Sequence, residues 1–216
     1  LESSELESSE LESSELESSD TVTENNSNDD QLTEGVCGEN LVWTLNQEGV
    51  LSIDGSGKMT DINVKNGESS IWTSYTDEIN AIVIGANVES IGAHAFEGLR
   101  KVTTVTFAEG SKLTSIGSYA FADCSLLEEF IIPEGAKCIG AAAFKNCNSL
   151  KVISVPDSVE NFDLLSEVDI EDENVTESMI ESSFEGCISE EFHILTNAGS
   201  LAEAYANTKG IKCKYN

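Results

Sequence analysis

Four segments of this chain end on the same spacing: an aliphatic residue, a Phe five positions on, then a Cys or Leu three positions further. They are Ile91…Phe96…Leu99, Ile116…Phe121…Cys124, Ile139…Phe144…Cys147 and a diverged unit ending Phe184…Cys187. The Phe positions step by 25, 23 and 40 residues, which places an insertion of about 17 residues in the last unit. A fixed period in the twenties describes one small supersecondary unit stacked on copies of itself, because a single unit cannot bury its own apolar face. The expected fold is a β-rich α/β solenoid of about four repeats, each of 23–25 residues. Such an array favours a binding or structural surface over a catalytic cleft.

Each repeat opens with a strand pattern. In Ala81–Ile84, Thr104–Phe107, residues 129–132 and residues 152–155, alternation sends Ile82/Ile84, Val105/Phe107, Phe130/Ile132 and Ile153/Val155 to the core. The side chains between them, Val83, Thr106, Ile131 and Ser154, with His193 in a later strand-like stretch, are the candidate ligand-binding residues of the outward sheet face. Ile91, Ile116, Ile139 and the repeat Phe and Cys positions (Phe96, Phe121, Phe144, Phe184, Cys124, Cys147, Cys187) form the expected core column. Gly92, Gly117 and Gly140 follow the repeat Ile and are expected at a turn that a side chain would obstruct.

The ends of the array need covers. Before the repeats, the runs 41–45 and 50–53 flank Asn46-Gln47-Glu48-Gly49 and predict a β-hairpin. Ile71-Trp72 is the expected anchor of the connector onto the first repeat, giving a cap and connector over residues 35–78. The repeats then span 79–192. Residues 193–216 form a C-terminal cap, with a short helix over 198–206 whose shared face is Leu201, Ala204 and Tyr205. Gly210 ends the helix, and Ile211 to Tyr215 add a last strand.

Residues 1–34 carry 12 of the 40 acidic residues, and the first base of the chain is Lys58. They repeat Leu-Glu-Ser-Ser-Glu, and a five-residue period gives neither a helical stripe nor strand alternation. The segment is expected to be a disordered, self-repelling acidic tether. An acid-rich insertion, 163–181, holds eight acids and no base. It is expected to loop out from the stack, and its cluster Asp169, Glu171, Asp172 and Glu173 lacks the glycine of an EF-hand loop. Asn174-Val175-Thr176 is a formal glycosylation sequon.

The remaining 28 acids against all 11 bases repel nucleic acid, which needs clustered Lys and Arg. No apolar run approaches the ~20 residues of a membrane span. The spacings of a zinc site are missing too, so no metal or cofactor is expected. The six cysteines are expected as free thiols, because Cys124, Cys147 and Cys187 interchange with Leu99 at a core position. A Cys187/His193 nucleophile pair has no orienting third residue, and His94, at the position of Tyr119 and Ala142, falls on a variable slot expected to be exposed.

Gly117-Ser118-Tyr119-Ala120-Phe121-Ala122-Asp123-Cys124 and Gly140-Ala141-Ala142-Ala143-Phe144-Lys145-Asn146-Cys147 resemble the BspA-like leucine-rich repeats of bacterial surface proteins. The flanks Cys37-Gly38-x-Asn40-x-x-Trp43 and Gly199-Ser200-x-Ala202-Glu203-Ala204-Tyr205-Ala206 are similar to those of such arrays. The resemblance implies a short leucine-rich-repeat solenoid that is secreted or surface-attached, with lipid or wall anchoring upstream of Leu1. It implies a non-catalytic protein-binding module, an adhesin toward a surface protein or glycan of a host or neighbouring cell. The alternative is a spacer or accessory repeat module with no ligand of its own.

Overall fold

The computed structural model of the protein describes residues 33–165 and 180–216. The acidic segment up to residue 32, the cluster Asp169 to Glu173 and the Asn174 sequon lie outside the described residues. In chain order the strands are β1 (Thr33–Gly38), β2 (Leu41–Leu45), β3 (Val50–Gly55), β4 (Gly57–Lys58), β5 (Ala81–Ile84), β6 (Val88–Ile91) and β7 (Thr104–Phe107). They continue as β8 (Ser115–Ile116), β9 (Glu129–Ile131), β10 (Cys138–Gly140), β11 (Val152–Ser154), β12 (Asn161–Leu164), β13 (His193–Thr196) and β14 (Lys212–Tyr215). An α-helix, Leu201–Lys209, joins β13 to β14.

The chain coils so that equivalent strands of successive turns lie side by side and parallel. One side carries β1-β2-β3-β5-β7 and, beyond a break, β9-β11-β13-β14; a second carries β4-β6-β8-β10-β12. The third side is a turn that lays its own ladder across repeats. Phe96 N–H donates to Ala120 O, Phe121 N–H to Ala143 O and Phe144 N–H to Ser183 O, each at 2.8 Å. Except at the break between β7 and β9, backbone groups are thus satisfied by the next turn of the coil on all three sides, as burial demands.

Inside, the expected strand alternation holds: Ile82, Ile84, Val105, Phe130, Ile132, Ile153 and Val155 are buried, with Phe107 partly covered. The repeat Phe residues form a continuous stack. Phe96–Phe121, Phe121–Phe144 and Phe144–Phe184 ring centroids are 5.2, 5.5 and 5.7 Å apart, near parallel, and Phe130 meets Phe121 and Phe144 edge-on. Beside this column runs a line of sulfurs. Cys124, Cys147 and Cys187 each donate Sγ–H to the carbonyl of the preceding repeat's Phe, at 3.4, 3.3 and 3.2 Å. Leu99 fills that slot in the first unit and is fully buried.

The repeat glycines are needed for the stack rather than for a turn conformation. A Cβ on Gly117 would sit 2.5 Å from Ala93 N and 2.7 Å from Gly92 C, both backbone atoms of the preceding repeat. The left-handed conformation belongs to other positions: two residues before Phe96, Phe121 and Phe144, where His94, Tyr119 and Ala142 have φ of 55, 54 and 54°, and two residues after each Phe. Gly98, Asp123, Asn146 and Gly186 stand at the latter with φ of 77, 59, 59 and 72°, all residue types that tolerate it.

The N-terminal cap has three antiparallel strands rather than the two expected, since β1 pairs with β2. Thr33 and Glu34, assigned to the tether from sequence, open β1 opposite Leu45 and Thr44. Parallel pairing of β3 with β5 joins the cap to the repeats. Trp72 anchors the connector: only 2 % exposed, it stacks on Trp43 at 5.9 Å and meets Phe96 edge-on at 5.2 Å. Ile71 is exposed and takes no part.

The C-terminal helix is rotated and shifted from its expected frame. Ser200 caps it by accepting from Glu203 N–H, so Ala202 and Ala206 are buried, Tyr205 half-buried, and Leu201 and Ala204 exposed. The cap, not the apolar spacing, sets the phase.

Both stems of the acidic insertion are tied down. Asp163 Oδ1 accepts from Ser183 N–H at 2.6 Å and from Ser183 Oγ and Tyr205 OH at 2.7 Å, while Oδ2 meets Lys209 Nζ at 2.8 Å. Glu181 takes Lys145 Nζ at 2.7 Å and Tyr119 OH at 3.0 Å. Burial raises the pKa of Asp163, but bonds from Lys209, Ser183 and Tyr205 outweigh it and leave it below its ordinary value. A depressed folded-state pKa stabilises above the unfolded value and loses that contribution as pH falls through the folded one. Wild type is therefore expected to lose melting temperature below about pH 4 more steeply than Asp163→Asn, whose side chain does not titrate. Parallel slopes in melts from pH 7 to 2.5 would remove the latch.

Candidate functional site

Strand register decides which outward side chains are neighbours. Thr44, Ser52, Val83 and Thr106 lie in one row across β2, β3, β5 and β7. Ile131, Ser154, Leu195 and Lys214 continue it across β9, β11, β13 and β14. Val83, Thr106, Ile131 and Ser154 thus fall on one face, as the alternation predicts. His193 does not complete their row. It pairs with Val152 and lies in the adjacent row with Glu129 and Lys212, while Leu195 stands opposite Ser154. A single-residue register cannot be read from sequence when an insertion separates the two strands. Thr44 and Ser52 were missed although the alternation of the predicted hairpin contains them.

The main row carries no carboxylate from Thr44 to Leu195, in a chain with 40 acidic residues. Its apolar members are open to solvent: Ile131 is 58 % and Val83 38 % exposed.

The row is interrupted once. β7 and β9 lie side by side but belong to different sheets, so the ladder that joins every other neighbouring pair on this side stops between them. The cause is in the repeat length. Core residues Ile84 and Val88 are four apart, as are Ile132 and Ala136, but Phe107 and Leu113 are six apart. The two extra residues fall in the loop 108–112 and account for the 25-residue step between Phe96 and Phe121. At the same junction Phe107 and Phe130 pack edge-on at 5.7 Å. An open cleft of about 410 Å³ results, lined by Thr106, Phe107, Gly110, Ser111, Ile131 and Pro133 among others. The unequal step was its signal in the sequence.

His94, expected to be exposed, is only 5 % so. Its ring stacks on Tyr119 at 4.8 Å, and Nδ1 lies 2.6 Å from Glu97 Oε2. The neighbour that covers it comes from the next repeat, where sequence shows only a varying residue. The Cys187 and His193 side chains each engage a backbone carbonyl, of Phe144 at 3.2 Å and Glu191 at 2.8 Å. Burial pushes the Cys187 and Cys37 thiols up to about 12 and raises Cys124 and Cys147 further. An activated nucleophile requires the opposite shift. Cys147 is accordingly expected to resist iodoacetamide in the folded chain and to label fully in urea, read by peptide mass spectrometry. Rapid labelling without denaturant would contradict its burial.

The model of the BspA type leucine rich repeat region matches residues 70–189, in six copies. The chain belongs to this family. The sequence pattern that suggested BspA-type repeats is therefore that of the family itself, although the family's unit is counted six times where the Phe spacing shows four. Among solved structures, a leucine-rich repeat protein from Eubacterium ventriosum is 22 % identical, covering 77 % of this chain and 44 % of that one, with a TM-score of 0.50. One from Bacteroides ovatus is 19 % identical over 65 % of this chain and 31 % of that one, at 0.47. A leucine rich cell surface protein from Faecalibacterium prausnitzii is 15 % identical over 76 % and 54 %, at 0.34. The chain thus spans less than half the length of the first two. A search of curated proteins found no match. Among the described residues, no helix is long and apolar enough to cross a membrane.

Proposed function

We propose that this BspA-type array is a non-catalytic protein-binding module acting outside the cell, with the outward face of its first side as the recognition surface. The observation that carries the reading is the row from Thr44 to Leu195. It is uncharged and partly apolar on a strongly acidic molecule, and such a row gives a partner contacts that need no desolvation of carboxylates. Membership of a family of bacterial surface proteins supports the location. An adhesin role toward a surface protein or glycan is the form this takes. The test is surface plasmon resonance of the full chain against extracellular-matrix proteins, mucins and glycans. Saturable binding to at least one of them, lost in the double variant Val83→Arg/Ser154→Arg, is the expected result. A blank panel would overturn the adhesin reading in favour of a spacer module.

A further inference from the structure

The cleft between β7 and β9 differs from the rest of the sheet face in three independent ways. Its lining gathers apolar and neutral residues around a hollow, Thr106, Phe107, Gly110, Ser111, Ile131 and Pro133 among them, with Glu134 the one charged member. The facing edges of β7 and β9 are not joined in a ladder, so they offer backbone donors and acceptors that neighbouring strands elsewhere spend on one another. The surroundings are acidic: Glu134 lines the cleft, Glu109 lies in its loop and Glu129 opens β9. None of these three carboxylates appears in the ion pairs of the described residues, and the base closest in sequence is Lys112, at the end of the same loop.

We propose that this cleft is a docking site for an extended peptide segment of a partner protein, holding one apolar side chain flanked by Lys or Arg. The apolar side chain enters beside Ile131, the flanking cations face Glu109, Glu129 and Glu134, and the segment's main chain bonds to the open strand edges. Extended peptides commonly bind sheets in this way, main-chain bonds giving affinity and a pocket giving selectivity. Charge complementarity decides the sign of the flanks, because an acidic segment would meet three unpaired carboxylates. The site rests on the reading of this face as a recognition surface and narrows it to one junction and one chemistry.

The probe is a fluorescein-labelled Gly-Lys-Phe-Lys-Gly peptide, titrated by anisotropy at low ionic strength against the full chain. Two control peptides carry Ala for Phe or Glu for both Lys. Amide shifts of the ¹⁵N-labelled chain map the contact. Saturable binding with shifts clustered at Thr106, Gly110, Ser111 and Ile131 is expected. Replacing Phe in the peptide, or Ile131→Ser in the chain, weakens it at least about tenfold, as loss of one buried apolar side chain should. Ile131 is exposed, so the fold should tolerate the change; Thr106→Trp, which fills the cleft from the β7 side, gives a second test. Equal binding of the Ala peptide, equal binding of the Glu peptide, shifts clustered elsewhere or no saturation would overturn the proposal. Matrix-protein binding that Ile131→Ser leaves intact would overturn the cleft alone and leave the wider sheet face standing. Peptide binding mapped to the cleft with a blank panel would keep the cleft and remove the adhesin reading.

Discussion

Phe121→Ala is expected to destabilise the array by about 3–5 kcal/mol, the range for emptying a fully buried aromatic position. Phe121 has no solvent exposure and touches aromatic rings on three sides: Phe96 and Phe144 stacked, Phe130 edge-on. Neighbouring repeats cannot collapse into the void without breaking the ladder from Phe121 N–H to Ala143 O. A repeat array holds together through nearest-neighbour interfaces. A lesion at its middle weakens two interfaces at once, whereas Phe184→Ala, at the last repeat turn, should cost less. Urea titrations of the two variants, followed by circular dichroism, give the comparison. A Phe121→Ala midpoint indistinguishable from wild type would mean that the Phe column is not the core.

The second large effect is expected at a residue with no side chain. Gly117→Ala should cost about 3 kcal/mol, the upper end for overpacking, because the new methyl meets backbone on the preceding repeat and no flexible side chain can yield. Gly98→Asn is the control within the same motif. Its φ is positive, but a Cβ there would meet nothing within 4 Å, and Asp123 and Asn146 hold the equivalent position. That substitution should cost about 1 kcal/mol or less. Thermal melts of both variants separate the two reasons a glycine is kept. Equal losses would show that close approach of the repeats is not what Gly117 provides.

These residues also mark how far the sequence could be read. Ile82/Ile84 and Ile153/Val155 announce strand and facing because alternation is local, and the Phe and Cys columns announce themselves by recurrence. What escaped depends on partners from other turns of the coil. His94 is buried by Tyr119, and nothing in its own segment says so. β1 was missed because Gly35, Gly38 and exposed Val36 make Thr33–Gly38 a poor strand on its own. It is held by pairing with β2. Asp163 and Glu181 look like two more acids of an acid-rich insertion, yet Ser183, Tyr205 and Lys145 turn them into its fastenings. On the candidate surface, alternation found Val83, Thr106, Ile131 and Ser154, but the insertion hid the register that exchanges His193 for Leu195. The cleft was present only as a step of 25 beside one of 23, a length difference with no chemistry attached until the strands on either side of it are placed.

The buried sulfurs give the folded array a particular kind of lifetime. Six cysteines are free, and the three in the repeat column donate to carbonyls in surroundings that oppose ionisation. Oxidation and disulfide exchange proceed through the thiolate, so the column is chemically silent while its neighbours stay stacked. Opening a repeat changes that at once, releasing sulfurs that can be captured as mixed disulfides or cross-links before the turn recloses. In oxidising surroundings unfolding would then become a one-way event, and the endurance of the molecule would be set by how rarely it opens rather than by its equilibrium stability.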